Sequence, residues 1–259
     1  MDLQLAGRTY LITGGTRGLG RATAEVLVAS GADVVVSGRT AESAAAAADQ
    51  LTNGGPGRAV GVGVDNADPA APQQLLAAAQ GLAPLRGALI SVGGPPAGAL
   101  TDITDEQWRD SFDRVFLGAL RIARAVVGVL HNQPPVDGER GAIAFVLSST
   151  VVQPAPTLAI SNGLRPGLAM IAKEMADGLG PQGIRVNSLL PGSIETDRVR
   201  EVAAAAADPA AARRAAEQSV PLRRYGRPAE FGAAAAFLLS PAAGYLTGVA
   251  LPVDGGVSR

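Results

Sequence analysis

The residues best placed to do chemistry gather in a few short stretches, and the first is Thr13-Gly14-Gly15-Thr16-Arg17-Gly18-Leu19-Gly20. An apolar run, Thr9 to Ile12, precedes it, and a helical pattern, Arg21 to Ala29, follows. Between strand and helix, the bare backbones of Gly14, Gly18 and Gly20 let a pyrophosphate approach the helix N-terminus. Free N–H groups and the helix dipole hold it there, with Thr16, Arg17 and Leu19 completing the cradle. The next stretch is Ser37-Gly38-Arg39-Thr40, after a second β-branched run. An acidic residue here would bind a ribose 2′-hydroxyl; instead Gly38 leaves space and Arg39 offers a planar cation. Arg17 and Arg39 together favour a 2′-phosphate, hence NADP over NAD, with two solvated surface arginines as the alternative. A third stretch, Asp65-Asn66, could accept from an adenine amino group. Equally, Asp65 through Asp68-Pro69 could turn the chain and cap the next helix.

Several chemistries are excluded. The chain of 259 residues has no cysteine, hence no thiolate nucleophile, disulfide framework or cysteine metal site. His131 is the only histidine and sits near a helix C-terminus, so neither a metal cluster nor an aspartate–histidine–serine arrangement can be built. A net charge of −1 with no basic stripe argues against nucleic acid or an anionic membrane as partner. Hydrophobic residues at 47% against 17% charged describe a globular chain rather than a disordered one. No apolar run approaches the ~20 residues that span a bilayer, no basic region with an apolar core precedes Thr9, and a cytoplasmic location fits.

The elements that must position these residues are legible as an alternation. Apolar, β-branched runs recur at Thr9–Thr13, Ala32–Ser37, Arg58–Val64, Gly87–Val92, Gly141–Ser148, Arg185–Leu190 and Val249–Val253. Between them lie alanine-rich helical patterns at Arg21–Ala29, Ala41–Gln50, Pro72–Gly81, Glu106–Leu130, Ala169–Leu179 and Ala229–Leu239. Continuous rather than alternating apolar runs indicate a parallel sheet covered on both faces, a doubly wound α/β architecture. The pattern is unbroken from residue 1 to 259, so one domain is expected. Thr104-Asp105-Glu106-Gln107 is a capping box, and Asp208-Pro209 opens a helix at Ala210–Gln218. That helix lies in an insert at 195–220, expected to be a lid over the substrate pocket; its alanine run Ala203–Ala207 reads as helix.

Taken in order, the motifs resemble those of the short-chain dehydrogenase/reductase family over essentially the whole chain. The likeness is carried by Thr13–Gly20, Gly93-Gly94, Ser148-Ser149, Gly183-Ile184-Arg185-Val186-Asn187 and Pro191-Gly192-Ser193-Ile194-Glu195-Thr196. Pro221-Leu222-Arg223-Arg224-Tyr225-Gly226, Leu246-Thr247-Gly248 and Val253-Asp254-Gly255-Gly256 extend it. The resemblance implies a Rossmann-type fold, a nicotinamide cofactor and a homo-oligomer, tetramer or dimer. It also implies that Gly93 lies beside the cofactor, that Pro191-Gly192 shapes the nicotinamide pocket, and that Ile194 and Thr196 meet the carboxamide and phosphates.

The departures are chemical. The family's acid is a tyrosine four residues before a lysine on the helix after the fifth strand, and those positions hold Ser161 and Arg165. The family's asparagine on the preceding long helix falls at Val115. Of the usual tetrad only the serine survives, as Ser149 or Ser148. A carbonyl receiving hydride needs a proton at oxygen from a donor whose pKa is near working pH. Tyrosine, at about 10, can be drawn down by a lysine; a serine hydroxyl is far less acidic and an arginine stays protonated. Tyr10, Tyr225, Tyr245 and Lys173 all lie elsewhere. Ser149, Ser161 and Arg165 are thus the candidate catalytic residues, with Arg165 on the face of Ser161. The competing reading has a helix that is kinked or begins later, near Ser161 or Asn162 as N-cap because of Pro166, and Arg165 in a structural ion pair. The expected activity is an NADP(H)-dependent oxidoreductase acting on a small carbonyl or conjugated enoyl compound. The alternative is an NADP(H)-binding sensor or partner subunit.

Overall fold

The central strands bury side chains on both faces, and that is what makes two helical layers necessary. In the computed structural model, residues 2–197, 199 and 208–258 are described. Seven strands form one parallel sheet in the order β3-β2-β1-β4-β5-β6-β7. They are β1 (Thr9–Ile12), β2 (Asp33–Gly38), β3 (Ala59–Gly63), β4 (Leu85–Ser91), β5 (Gly141–Val146), β6 (Ile184–Pro191) and β7 (Ala250–Val253). Successive residues point to opposite faces. Leu11, Val35 and Ile90 join one core with Leu75, Ile122 and Leu168. Tyr10, Ile12, Val34 and Val36 join the other with Leu27, Phe231 and Ala235. The order reverses beside β1, where β2 and β4 flank it, and this opens a crevice at the strands' carboxyl ends.

The helices are α1 (Gly18–Ala29), α2 (Ala41–Thr52), α3 (Ala71–Ala78), α4 (Asp105–Ser111), α5 (Gly118–His131) and α6 (Ala159–Leu179). Two more follow the sixth strand, α7 (Pro209–Ser219) and α8 (Pro228–Leu239). The expected caps at Thr104 and Asp208 are present, with Thr104 Oγ1 accepting from Gln107 N and Asp208 Oδ1 from Ala211 N.

Two expectations need correction. The long helix expected over Glu106–Leu130 is interrupted by a π-helical segment, Phe112–Leu117, joining α4 to α5. It contains the stacked rings of Phe112 and Phe116, with centroids 5.1 Å apart. Trp108 and Phe116 lie against Gly163 and Gly167 of α6, where a Cβ would come within 2.9 and 3.1 Å of the rings. The other correction concerns α6, which starts at Ala159 and contains Pro166, with no cap at Ser161 or Asn162. An interior proline costs about 3 kcal/mol. Fully burying Ile160, Leu164 and Leu168 on the same helix contributes about 1.5–3 kcal/mol each and outweighs it. The Asn162 side chain instead braces the preceding loop, bonding both N and O of Ala155. The run Ala203–Ala207 lies outside the described residues, as does part of the expected lid at 195–220.

Candidate active site

The turn after β1 is held by its neighbours before any ligand is considered. Thr13 Oγ1 donates to Ser91 O at 2.9 Å and accepts from Ser91 N at 2.8 Å, locking the ends of β1 and β4 together. Gly15 N donates to Ser37 O and Gly14 N to Ser37 Oγ, tying the turn to β2. Gly14 and Gly18 have φ of 61° and 60°, where glycine carries no Cβ penalty. A Cβ on Gly20 would stand 2.5 Å from Gly14 O. Arg17 is the exposed residue preceding α1, and its side chain does not cap the first N–H groups of that helix. Thr196, expected at the phosphates, does lie over this end: its Cγ2 is 3.6 Å from where a Gly18 Cβ would be.

Arg39 is exposed at the end of β2 and makes no hydrogen bond or ion pair among the described residues. Gly38 is required beside it, because a Cβ there would sit 2.5 Å from Thr16 Cγ2. At Gly14, Gly20 and Gly38 the protein's own atoms fill the space a Cβ would need, so the turn lies close against itself and the end of β4; the residues present fit a nicotinamide dinucleotide. Asp65 forms the turn: Oδ1 accepts from Ala67 N at 3.0 Å and Oδ2 pairs with Arg114 at 3.4 Å. Asn66 lies against Gly118, and Gly93 is exposed beyond β4. Gly192 packs against Asp254, with its N donating to Val253 O. The Ile194 side chain belongs to the core, and its backbone O accepts from Thr196 N.

At the end of β5, Ser148 Oγ accepts from Thr150 N and caps the short turn Ser149–Val151. The Ser149 hydroxyl makes no protein hydrogen bond among the described residues, which separates the two serines. Ser161, only 5% exposed, pairs its hydroxyl with Thr150 Oγ1 at 3.1 Å. Thr150 went unnoticed in the sequence because it has no counterpart in the motif and its partner is eleven residues away. Among the described residues, Arg165 is in no ion pair. Its Nη1 donates to Val146 O at 3.1 Å and Leu147 O at 2.6 Å, and burial pushes the guanidinium down to about 10, still charged at neutral pH. Val115 is buried in the apolar core.

The tyrosines are elsewhere, as expected. Tyr10 is buried in the core with its hydroxyl donating to Leu239 O, and burial pushes its pKa well up. Tyr225 lies under the Arg213 guanidinium at 5.2 Å. Tyr245 is fully exposed on a cavity of about 690 Å³ with Arg8, Glu139 and Arg185. That cavity lies at the amino ends of β5 and β6, opposite to where open sheets of this type bind ligands. Lys173 is exposed on α6, and His131 closes α5. Among the described residues, no three potential metal ligands cluster, and no helix is long and apolar enough to cross a membrane.

A family model described as Enoyl-(Acyl carrier protein) reductase matches residues 14–258. The chain belongs to the short-chain dehydrogenase/reductase family. Its coarse activity, that of an oxidoreductase in this family, comes with that membership. It is 34% identical to an uncharacterised oxidoreductase of Mycobacterium tuberculosis, a match covering 98% of this chain and 94% of the relative. L-sorbose reductase from Gluconobacter frateurii, solved with NADPH and L-sorbose, is 28% identical with a TM-score of 0.91. That match covers 100% of this chain and 99% of the other. An NADPH-bound short chain oxidoreductase from Pseudomonas aeruginosa PAO1, described as containing an atypical catalytic center, is 29% identical. Its TM-score is 0.86, and the match covers 97% of this chain and 96% of the other.

Proposed function

We propose that this protein is an NADP(H)-dependent reductase of a small carbonyl or conjugated enoyl compound. Ser149, Ser161 and Arg165 stand where the family keeps its serine, tyrosine and lysine. The observation that carries the cofactor choice is Arg39: an exposed cation without a partner among the described residues, beside a glycine, at the end of β2. NADPH in the two solved relatives supports the same choice. When bound, the nicotinamide supplies hydride. What this chain lacks is an acid: the serine hydroxyls are too weak and Arg165 keeps its proton, so water or the substrate provides one. A conjugated C=C suits that limit, because hydride at the β-carbon leaves an enolate that solvent can protonate at carbon. Hydroxyls and a cation already fixed in place hold the developing charge without reorganising. In the described part of the segment read as a lid, Arg213 bonds Glu195 and Glu217 at 2.9 Å each and so ties α7 to the chain after β6.

The test is a titration of NADPH and NADH against the native protein and Arg39→Ala, followed by a screen of ketones and enoyl compounds. Tight NADPH binding that weakens in the variant, with NADPH consumed by one substrate class, is the expected result. Failure of either cofactor to bind refutes the cofactor reading. Tight binding without turnover would favour a cofactor-binding sensor or partner subunit.

A further inference from the structure

Arg165 is 7% exposed, yet no carboxylate pairs with it among the described residues, and burial is the only influence on its pKa. The contrast is Arg185, equally buried, which pairs with Glu139 at 3.1 Å. Both protein bonds of Arg165 are made by Nη1, to carbonyls at the end of β5. The partnerless, fully buried polar atoms among the described residues are Arg185 Nε, Ser188 Oγ and Ser258 Oγ. Arg165 Nε and Nη2 are not among them and make no bond to the described residues, so they retain contact with solvent at the carboxyl end of β5. A buried cation without a counter-charge is costly, and a bound anion relieves it. A guanidinium with one nitrogen anchored presents its remaining N–H groups in a plane that matches a delocalised oxyanion.

We infer that Arg165 is an anion-binding residue, and that the substrate enters the crevice bearing a planar oxyanion, a carboxylate or a stabilised enolate, which pairs with its free guanidinium edge. The inference rests on the reductase reading only in calling that anion a substrate. The neighbouring hydroxyls of Ser161 and Thr150 are neutral and carry donors of their own, so they add hydrogen bonds without opposing charge.

The experiment measures benzoate against its neutral isostere benzamide, and acetate against acetamide, by calorimetric titration with and without saturating NADPH. The native protein should bind each anion at least tenfold tighter than its amide, equivalent to about 1.4 kcal/mol. Arg165→Gln should bring the ratio near one, whereas Arg165→Lys should retain part of it. Arg8→Gln, in the cavity at the opposite end of the sheet, should leave it unchanged. Equal affinity of acid and amide in the native protein overturns the inference, and needs no variant to fold. So does a preference that persists in a folded Arg165→Gln protein or disappears in Arg8→Gln. The NADPH titration is separate, so an anion preference without cofactor binding would refute the reductase reading alone.

Discussion

Gly20 offers the sharpest test of the phosphate cradle, because its requirement is a measured clearance. A Cβ there would lie 2.5 Å from Gly14 O and 2.9 Å from Gly14 C, both backbone atoms of the same turn. No rotamer change can relieve that contact, so Gly20→Ala must open the turn or shift the start of α1. Overpacking of this kind costs roughly 1–3 kcal/mol. If the strain falls on the geometry that presents the helix N–H groups to phosphate, NADPH affinity should drop roughly 5- to 150-fold. Fluorescence titration of NADPH gives the dissociation constant, and a melting curve shows whether the remainder of the fold survives. The matched control is Gly128→Ala, the same chemical change on α5 with nothing within 4 Å of the new methyl. A folded Gly20→Ala protein that binds NADPH within twofold of the native affinity would refute the reasoning.

The control carries its own expectation: Gly128→Ala should stabilise the protein by about 0.5–1 kcal/mol, as helix propensity dictates, read as a small rise in Tm. Tyr10→Phe removes only a hydrogen bond to Leu239 O in the core. It should cost about 0.5–1.5 kcal/mol of stability and leave NADPH oxidation unchanged, whereas a lost turnover would make Tyr10 the missing acid. Burial raises the Asp33 carboxyl, but hydrogen bonds from Arg58 and the Ala83 amide outweigh this and hold it below its ordinary value. Its contribution is therefore full above the unfolded pKa of about 3.9 and lost as pH falls through the lower folded value. Asp33→Asn should melt earlier than the native protein at pH 7, with the gap closing in acid; a constant gap would contradict the assignment.

The sequence by itself determined the sheet and the glycine turn after β1. Seven β-branched runs became seven strands, each within a few residues of its expected bounds, because continuous apolar stretches must bury both faces wherever they pair. Gly14, Gly18 and Gly20 were legible because their constraint is local: positive φ, or a methyl's clearance within one turn. Arg39 was legible for a similar reason, lying at the end of a strand whose identity was plain. Only the tertiary structure decided what happens around Ser161. Local propensity placed a helix start at Ser161 or Asn162 because proline and glycine disfavour an earlier one, but burial of Ile160, Leu164 and Leu168 carried α6 back to Ala159. The Thr150–Ser161 hydroxyl pair, the anchoring of Arg165 on Val146 and Leu147, and the position of Thr196 over α1 join segments that meet only when the sheet is assembled. A cation's partner, or the lack of one, is set by which groups the fold brings within reach. The ion pair that one of the two readings gave Arg165 therefore gave way, among the described residues, to a guanidinium anchored on two carbonyls.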